Sequence, residues 1–443
     1  MSHILLIGNG AREHALAEAI ARSSQKPKLF SFMKANNPGI ASLSEKIKLG
    51  SYADLDAIAE FARVNKIEFA VIGPEDPLNN GVVDTLAGIG IPSVGPTQSL
   101  ARLETSKSFT RHLVSKYNIP GNPRYRVFHS MDGVEAFLHE LDAVVLKPDG
   151  LTGGKGVQVQ GDHFETKKDA LKLCEQILAG GSPLVIEEKF DGEEFSLQCF
   201  CDGNTVVGTP LVQDHKRRFD GDKGPNTGGM GSYSLANHLL PFLKPRDLQD
   251  ALEITRRVAA ALLKETGQPY KGVMYGGFIA TRDGVRLLEY NARFGDPEAM
   301  NILPLLKTDF VEVCRHIVAG VLDRLNIEFE SKATVCKYVV PKGYGLPADH
   351  PDAAAARAKI EVGDVGRAKL YYASVDQRED GLYLSASRAI GIVGIADTLA
   401  EARAIAQDGV KAVRGPVAYR EDIGTDALIQ KRMDHMKKIR GES

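Results

Sequence analysis

The chain has 443 residues, which is too long for one ordinary hydrophobic core, so roughly two to four domains are expected. Hydrophobic residues make up 43% and charged residues 25%, the composition of a soluble globular protein. The net charge of −2 excludes a protein-wide field that would attract nucleic acid or an anionic membrane surface.

The sequence lacks signals for secretion and for disulfide or zinc frameworks. It has no run of about 18 apolar residues, and its first stretch, MSHILLIG, turns glycine-rich after the length of a single strand. The five cysteines are odd in number and contain no C-x-x-C spacing. We therefore expect reduced thiols and a cytoplasmic protein.

Residues 1–103 alternate short apolar runs with helical patterns, which predicts a parallel sheet flanked by helices. The predicted strands are Ile4–Ile7, Lys28–Phe32, Phe69–Ile72 and Pro92–Val94, and the predicted helices are Arg12–Arg22, Leu55–Asn65 and Val82–Gly90.

The turn after the first strand, Gly8-Asn9-Gly10-Ala11-Arg12-Glu13, imitates a dinucleotide-binding fingerprint. Glu13 replaces the third glycine and no acid ends the second strand, so both marks of NAD binding are missing. Two interpretations stay open, because its backbone N–H groups could bind one phosphate or the turn could simply need small residues. Glu75, after the strand at 69–72, could accept from ligand hydroxyls or cap the next helix.

Two lysines and a glycine-rich loop follow. Lys107 lies on a predicted helix, and Lys147 lies on a predicted strand, where a buried ammonium would need an anionic partner. The loop after that strand could cover phosphates with its amides and its lysine, although it does not match a Walker A motif and a plain hairpin is the alternative. Its central residues are Gly153, Gly154, Lys155 and Gly156.

An acidic stretch, which we call the acidic connector (residues 187–194), leaves the next apolar strand. Such a connector could read an adenine edge with its backbone and a ribose with a carboxylate, or it could be surface charge. The 213–231 segment, QDHKRRFDGDKGPNTGGMG, predicts a long non-periodic loop, a feature that is usually functional or disordered. Its basic cluster could bind a ribose phosphate or an acyl phosphate, and its glycines allow close backbone approach.

The stretch VRLLEYNARFGDPE (285–298) predicts a buried strand with polar residues at its end. Residues two apart on a strand share a face, so Glu289, Asn291 and Arg293 point the same way. A carboxylate beside an amide oxygen suits Mg²⁺ or Mn²⁺, and the arginine would bind an anion. A strand end capped by solvated side chains is the alternative, but the RFGDPE continuation favours the functional interpretation. After residue 331, four strands and the helix Leu399–Val413 predict an α+β tail without a catalytic motif.

Together these motifs resemble the phosphoribosylamine–glycine ligases (glycinamide ribonucleotide synthetases), ATP-grasp enzymes of purine biosynthesis. The resemblance is carried by Arg12-Glu13-His14-Ala15, Gly73-Pro74-Glu75, Leu103-Glu104 with Ser106-Lys107, Gly154-Lys155-Gly156-Val157, Asp214-His215-Lys216-Arg217, Gly224–Gly231 and Arg293–Glu298. It implies an N-terminal Rossmann-like α/β domain (1–103), an ATP-grasp core (104–328) with a small lid subdomain (about 124–190), and a C-terminal α+β domain (329–443).

The family's reaction joins glycine to 5-phosphoribosylamine and splits ATP to ADP and phosphate, through a glycyl phosphate intermediate. The resemblance implies a metal site of Glu289 and Asn291 for Mg²⁺ or Mn²⁺, and catalytic roles for Arg293, Asp214 and Lys216. It implies ATP contacts at Lys107, Lys147, Gly153, Gly154, Lys155, Gly156, Glu187, Glu188, Lys189, Phe190 and Glu194. It implies phosphoribosylamine contacts at Gly8, Gly10, Arg12, Glu13, Glu75, His215, Arg217, Asn226, Thr227, Gly228, Gly229, Met230 and Asp296.

Two rival interpretations remain. Another ATP-grasp carboxylate–amine ligase, such as a formate- or bicarbonate-using purine enzyme or a biotin carboxylase relative, would share the nucleotide site but lack the Asp214–Arg217 motif. A non-catalytic or dehydrogenase-type nucleotide-binding protein would leave the Glu289 and Asn291 pair idle. The expected partners are small-molecule substrates, without nucleic acid or membrane, in a monomer or homodimer.

Overall fold

The computed structural model describes residues 2–151 and 156–442 of the chain. The strands of the N-terminal part are β1 (His3–Ile7), β2 (Lys28–Met33), β3 (Lys46–Leu49), β4 (Phe69–Ile72) and β5 (Ser93–Val94). The helices are α1 (Ala11–Ala21), α2 (Pro38–Leu43), α3 (Leu55–Val64), α4 (Glu75–Asn79), α5 (Val82–Gly88), α6 (Gln98–Thr105) and α7 (Lys107–Lys116). The strands form one parallel sheet in the order β3-β2-β1-β4-β5, which confirms the predicted α/β class.

The sequence did not predict β3 and α2. Strand β3, with sequence KIKL, is an edge strand whose lysines give it no apolar run. Charged residues on an edge strand discourage pairing with another chain, and they also hide the strand from a search for hydrophobic patterns. Helix α2 has only six residues, and Asn37 caps it by accepting from two of its backbone N–H groups.

Residues 125–188 form a small antiparallel sheet with two helices and a core of their own. Its elements are β6 (Tyr125–Phe128), α8 (Val134–Glu140), β7 (Val144–Pro148), β8 (Gln158–Val159), α9 (Lys167–Ala179) and β9 (Leu184–Glu188). The strand order is β6-β9-β7-β8. Phe128, Phe137, Leu146 and Leu184 belong to an apolar cluster that is separate from the main core. This is the small lid subdomain that the resemblance implied.

The central part is built on a long hairpin. Its strands are β10 (Glu193–Cys201), β11 (Val206–Gly208), β12 (Gln213–Asp214), β13 (Arg217–Phe219), β14 (Lys223–Asn226), β15 (Gly231–Ser234), β16 (Gly272–Thr281) and β17 (Gly284–Asn291). The sheet order is β11-β10-β16-β17, and the 22-residue helix α10 (Pro245–Thr266) packs against it. Strand β16 is buried along its whole length and pairs with β17. This pairing holds the polar end of β17 in a fixed position.

The remaining elements form the C-terminal part. They are α11 (Ala299–Ile302), α12 (Phe310–Ala319), β18 (Ala333–Pro341), β19 (Lys359–Val362), β20 (Lys369–Tyr372), β21 (Val375–Arg378), β22 (Gly381–Leu384), β23 (Ile390–Ala396), α13 (Leu399–Val410), β24 (Val413–Arg414), β25 (Val417–Ala418) and α14 (Asp426–Arg440). Short 3₁₀ turns lie at Leu303–Leu305, Leu322–Arg324 and Pro351–Arg357.

The prediction of a structureless loop for the 213–231 segment is wrong. Strands β12 and β15 pair with each other, and β15 continues into the C-terminal sheet, whose order is β12-β15-β18-β23-β20. Between them, β13 and β14 form a short hairpin with an irregular register. The central and C-terminal parts therefore share one sheet, and the domain boundaries proposed from the sequence stay predictions.

Among the described residues, no helix is both long and apolar enough to cross a membrane. The N-terminal and C-terminal parts are joined by buried polar contacts. His14 Nδ1 accepts from the Tyr372 backbone N–H at 2.9 Å, and the Asn37 side chain donates to the Tyr372 carbonyl at 2.7 Å. His14 of the REHA motif is thus held at this junction.

We expect acid to weaken this junction. Burial lowers the pKa of His14 to about 4, so between pH 6.5 and 4 the unfolded chain binds a proton that the folded chain excludes. The contribution of His14 to stability is therefore complete above pH 6.5 and is lost as the pH falls towards 4, by about 3 kcal/mol in all. His14→Gln keeps an acceptor that does not titrate, so its melting temperature should fall less than that of the wild type between neutral pH and about pH 5. An identical fall in both proteins would contradict this assignment.

Candidate active site

A cavity of about 110 Å³ opens where the lid, the end of β17 and the N-terminal part meet. It brings together seven of the residues singled out from the sequence, namely Glu75, Lys107, Lys147, Glu187, Glu289, Asn291 and Arg293. Leu103, Glu104, Thr110, Arg111, Gly150, Leu151, Val157, Leu288 and Tyr290 complete its lining. These residues lie far apart in the sequence, and the fold gathers them around one space.

Glu289 and Asn291 lie at the carboxyl end of β17, two residues apart, and both line this cavity. Burial disfavours the charged form of Glu289, but Lys216, Lys147 and Lys107 outweigh it and lower the pKa of the carboxyl. Glu289 is therefore an ionised carboxylate among cations. An ionised carboxylate beside an amide oxygen is a hard donor pair that fits Mg²⁺ or Mn²⁺.

The described part of the chain holds no group of three or more His, Cys, Asp or Glu side chains suited to a metal ion. A divalent cation on Glu289 and Asn291 would have its remaining coordination positions available to phosphate and water. That is the usual arrangement for Mg²⁺ in enzymes that transfer phosphoryl groups.

Lys147 is buried, and its anionic partner is Glu187. Lys147 Nζ lies 2.8 Å from Glu187 Oε2 and donates to the Leu288 carbonyl at 2.9 Å. Arg111 binds the same carboxylate with two hydrogen bonds of 2.6 and 2.9 Å. The Glu187 carboxylate, which we predicted to contact the nucleotide, is occupied by these cations. Through its ion pair with Lys147, Glu187 holds the Lys147 ammonium in position at the cavity.

Lys107 is the second cation of the cavity. Its Nζ donates to the Gly150 carbonyl at 2.6 Å, at the start of the glycine-rich loop. Asp149 accepts from the Lys107 backbone N–H at 2.6 Å, which ties the first turn of α7 to that loop. Burial lowers the pKa of Lys107, and Glu289 opposes that shift. Lys107 is placed so that it and Glu289 face the same cavity.

Arg293 follows the strand and is enclosed by carboxylates. It lies 3.2 Å from Glu75 Oε2 and 2.9 Å from Glu104 Oε1, and its Nη2 is 3.4 Å from Asn291 Oδ1. Arg293 has the largest effect on Glu75 and lowers the pKa of that carboxyl to about 2, against the effect of burial. The Ala292 backbone N–H donates to Glu104 at 2.7 Å, so the residues after β17 are fixed from both sides.

The first turn folds around its own glutamate. Glu13 is buried and accepts from the Gly10 backbone N–H at 2.5 Å and from Arg12 Nε at 2.5 Å. Gly8 has a φ of +136°, and a Cβ there would overlap Glu13. Of the two interpretations left open, the structure supports the tight structural turn for Glu13. Arg12 extends from this turn and donates to the Phe294 carbonyl at 3.0 Å.

In the 213–231 segment, three of the predicted substrate contacts have buried side chains. His215 is 1% exposed and Met230 is fully buried, and the Met230 N–H donates to the His215 carbonyl at 2.8 Å. Burial lowers the pKa of His215 to about 4, and its Nδ1 lies 3.4 Å from Asp222 Oδ1. Thr227 is also buried and donates to the Lys216 carbonyl. The side chains of His215 and Met230 face the protein interior, and their contact with substrate stays a prediction.

Asp214 of this segment is half-buried and lies near the buried Glu298, so the two form an acidic pair. The atom Asp214 Oδ1 is itself buried, and no donor among the described residues reaches it. Burial, and then Glu298, raise the pKa of the Asp214 carboxyl well above its usual range. Glu298 is 2% exposed and accepts from the Tyr275 hydroxyl at 2.9 Å. Gly229 lies so close that a Cβ would stand 2.7 Å from Asp214. Asp214 Oδ1 is therefore the atom of the pair that could still accept from a hydrogen-bond donor or bind a cation.

A second cavity, of about 790 Å³, lies between the lid, the β13–β14 hairpin and residues 341–356. Arg217 and Asn226 line it from the hairpin. Arg217 Nη2 lies 3.1 Å from Asp162 Oδ1, and Asn226 Nδ2 lies 3.4 Å from His163 Nε2, so the hairpin contacts the lid across this cavity. Lys216 approaches the acidic connector, with its Nζ 3.8 Å from Glu194 Oε2.

Gly228, Gly229 and Asp296 contact the C-terminal part of the chain through Arg388. Arg388 donates to the Gly228 carbonyl at 2.6 Å, to the Gly229 carbonyl at 3.2 Å and to the Asp296 carbonyl at 2.9 Å. Its guanidinium also pairs with the Asp296 carboxylate at 3.2 Å, and Asp296 accepts from the Tyr338 hydroxyl. These contacts connect the 213–231 segment and the residues after β17 to the C-terminal part.

The remaining predicted ATP contacts are dispersed. Glu188 accepts from the Arg124 backbone N–H at 2.7 Å, Lys189 donates to the Gln160 carbonyl at 2.7 Å, and Arg286 lies over the Phe190 ring. Gly156 lies just before Val157, which lines both cavities. Gly153, Gly154 and Lys155 lie outside the described residues.

Four residues of the site were not predicted from the sequence. They are Glu104, Arg111, Glu298 and Arg388, and each acts through a partner that is distant in the sequence. Glu104 and Glu298 lie in motifs that carry the family resemblance, so the sequence contains a signal for these two residues. Arg111 and Arg388 have no such signal.

The lid over an antiparallel sheet, with lysines and a hard donor pair facing one cavity, defines an ATP-grasp enzyme. The chain belongs to the phosphoribosylglycinamide synthetase family. Its N-domain model matches residues 2–104, its ATP-grasp (A) domain model residues 105–299 and its C-domain model residues 334–426.

Named relatives agree with this assignment. The phosphoribosylamine–glycine ligase of Methanosarcina barkeri is 48% identical over 438 residues, which cover 99% of this chain and 100% of the relative. That of Methanocaldococcus jannaschii is 48% identical over 449 residues, covering 99% of each. The crystal structure of phosphoribosylamine–glycine ligase from Thermotoga maritima superposes with a TM-score of 0.80 at 26% identity, covering 95% of this chain and 100% of that one.

Proposed function

We propose that this protein joins glycine to 5-phosphoribosylamine at the expense of ATP. The products are glycinamide ribonucleotide, ADP and phosphate, a step of de novo purine biosynthesis. The observation that carries the proposal is the convergence of Glu289, Asn291, Arg293, Lys107 and Lys147 on one cavity. Named relatives of this family at 48% identity support the choice of substrates.

Two displacements account for the reaction. An oxygen of the glycine carboxylate attacks the γ-phosphorus of ATP, and the bond from phosphorus to ADP breaks, which yields glycyl phosphate. The amine nitrogen of phosphoribosylamine then attacks the glycyl carbonyl carbon. Phosphate leaves with the electron pair of the carbon–oxygen bond, and the nitrogen loses a proton. A neutral amine attacks unaided, so the protein must mainly position the groups and neutralise charge.

Glu289 and Asn291 would hold the Mg²⁺ or Mn²⁺ ion, which supplies charge neutralisation on the phosphates when it is bound. Lys107 and Lys147 face the same cavity and bind phosphate oxygens, and Lys147 is fixed in place by Glu187. Arg293 contacts Asn291 and keeps a positive charge at the end of β17. These residues together stabilise the charge that develops on the transferred phosphoryl group.

The acidic pair of Asp214 and Glu298 suits the ammonium group of glycine. An ammonium carries three donors and a positive charge, and Asp214 Oδ1 is a buried acceptor that receives no hydrogen bond from the part of the chain that the structure describes. Binding of a cation there would favour the ionised form of both carboxyls. We assign the amino group of glycine to this pair and its carboxylate to the side that faces the nucleotide cavity.

We expect Asp214→Asn to raise the KM for glycine by roughly tenfold or more, because a hydrogen bond to a charged group is lost. The KM for ATP should change much less, and initial rates with each substrate varied in turn measure both constants. Asp220→Asn is the matched control, since Asp220 is an exposed carboxylate of the same segment. Equal increases for all three substrates would instead assign a structural role to Asp214.

We expect Arg217→Ala to raise the KM for phosphoribosylamine by roughly tenfold, because a cation that would bind its phosphate is removed. The KM for ATP should stay near its wild-type value. Asp162→Asn removes the lid partner of Arg217 and leaves the guanidinium in place. If both variants change the same constants equally, the lid contact and not substrate binding explains the effect.

The direct test of the function is ATP-dependent phosphate release with glycine and phosphoribosylamine added singly and together. We expect sustained release only with both substrates. Release that bicarbonate or formate supports in place of glycine would favour another carboxylate–amine ligase, and binding of ATP without any turnover would favour a nucleotide-binding protein.

We further propose a cytoplasmic enzyme that acts as a monomer or homodimer on small molecules only. The five cysteines are free and buried, as expected for a reducing compartment. Sedimentation with and without substrates measures the oligomeric state.

A further inference from the structure

The C-terminal helix α14 packs against β10 and β16, and one of its arginines bridges two separate parts of the site. Arg432 Nη1 donates to Glu193 Oε2 at 2.7 Å, and its Nη2 donates to Asp222 Oδ2 at 2.9 Å. The three side chains are 10 to 21% exposed. Each carboxylate thus accepts from a different terminal nitrogen of one guanidinium, a geometry that a lysine cannot reproduce.

Glu193 belongs to the acidic connector. It is the first residue of β10, and His435 of α14 binds its other oxygen, with Nδ1 2.7 Å from Glu193 Oε1. His435 Nε2 also lies 3.1 Å from Asp191 Oδ1. The side chain of the next residue, Glu194, faces Lys216 of the 213–231 segment. Helix α14 therefore fixes the acidic connector at two positions.

Asp222 belongs to the 213–231 segment. It lies in the turn between β13 and β14 with a φ of +58°, in the left-handed region that aspartate adopts more readily than most L-residues. Its Oδ1 accepts from Arg420 at 2.9 Å and lies 3.4 Å from His215 Nδ1. Arg420 in turn donates to the Arg217 carbonyl at 3.1 Å. Through its contacts with Arg420 and His215, Asp222 orients the Asp214–Arg217 motif.

We infer that Arg432 is a positioning residue for the ligation, and that it holds the acidic connector and the Asp214–Arg217 motif in a fixed relation. The inference rests on the proposed function. Without the guanidinium, Glu193 and Asp222 would face each other as two poorly solvated carboxylates, and their repulsion would move the connector away from the motif. Binding of ATP near the acidic connector and binding of phosphoribosylamine near the Asp214–Arg217 motif would then no longer increase each other's affinity.

The test compares Arg432→Ala with Arg440→Ala. Arg440 lies on the same helix and pairs with Asp247 of α10 at 2.8 Å, so its loss weakens the docking of α14 without contact to Glu193 or Asp222. We expect Arg432→Ala to raise the KM for ATP and for phosphoribosylamine by roughly tenfold each, with glycine much less affected. Arg440→Ala should lower the melting temperature by a similar amount and leave all three constants near the wild type.

Calorimetric binding of ATP without the other substrates gives a second measurement, which does not depend on turnover. Weaker ATP binding in Arg432→Ala but not in Arg440→Ala supports the inference even if the substrates of the reaction are wrongly assigned. Arg432→Lys should restore little, because one ammonium cannot serve both carboxylates. Equal behaviour of the Arg432 and Arg440 variants, or full rescue by lysine, would overturn the inference.

Discussion

Replacing Glu289 by alanine is expected to lower ATP-dependent phosphate release by about 10³-fold, the size of effect seen when charge stabilisation of a transition state is removed. Glu289 is an ionised carboxylate among three lysines at the end of β17, and it would hold the divalent cation together with Asn291. The variant would lose the strongest of the two ligands. Steady-state phosphate release over a range of Mg²⁺ concentrations measures the loss.

The fold should survive this substitution, because Glu289 faces a cavity and not the apolar core. Asp283→Asn is the matched control, since Asp283 is an exposed carboxylate in the turn of the same hairpin. Its activity should equal that of the wild type. Glu289→Gln should retain part of the activity at raised metal concentration. Near-normal turnover of Glu289→Ala in magnesium would refute the metal assignment.

Arg293→Ala is expected to damage both stability and activity. Arg293 neutralises Glu75 and Glu104, and its removal leaves the buried Glu104 carboxylate without its cation and Glu75 with only Arg12, whose Nη2 lies 4.0 Å away. Breaking a buried ion pair from one side costs about 3–5 kcal/mol. The activity, kcat/KM for ATP, should fall by about 10²-fold or more, because the charge beside Asn291 is lost. Chemical denaturation and initial rates measure the two effects separately.

Arg286→Ala provides the comparison, because Arg286 lies on β17, the strand that leads to Arg293, but stacks over Phe190 and does not line the cavity. It should change stability by well under the loss seen for Arg293→Ala. In Arg293→Lys the charge is kept and the two-sided contact is lost, so we expect intermediate stability. An Arg293→Ala protein with wild-type stability would show that Glu75 and Glu104 do not depend on this arginine.

The strand that carries the candidate metal ligands could be predicted from the sequence because its logic is local. Side chains alternate along a strand, so Glu289 and Asn291 share a face whatever packs around them. Arg293 lies beyond the end of β17 and reaches the same cavity from the segment that follows the strand. The same holds for the N-terminal sheet, where apolar runs and helical patterns alternate over short distances. Fold features that depend on neighbours in sequence were therefore accessible.

The partners of these residues could not be predicted in this way. The sequence predicts a nucleotide contact for Glu187 but does not show that Arg111 of α7 and Lys147 of the lid bind its carboxylate. It predicts a substrate contact for His215 but does not show that this side chain is buried. Strand β12, which precedes His215, has only two residues, and β15, which begins at Gly231, has four, so neither strand is long enough to show hydrophobic alternation.

The sharing of one sheet between the middle and the end of the chain limits how the protein can be dissected. Strand β15 lies between β12 and β18, so a fragment that stops before residue 333 would carry a bare edge where β18 belongs. Unpaired edges invite aggregation, and such truncations should be insoluble. The lid, whose apolar cluster is its own, is the piece that could be excised and studied in isolation.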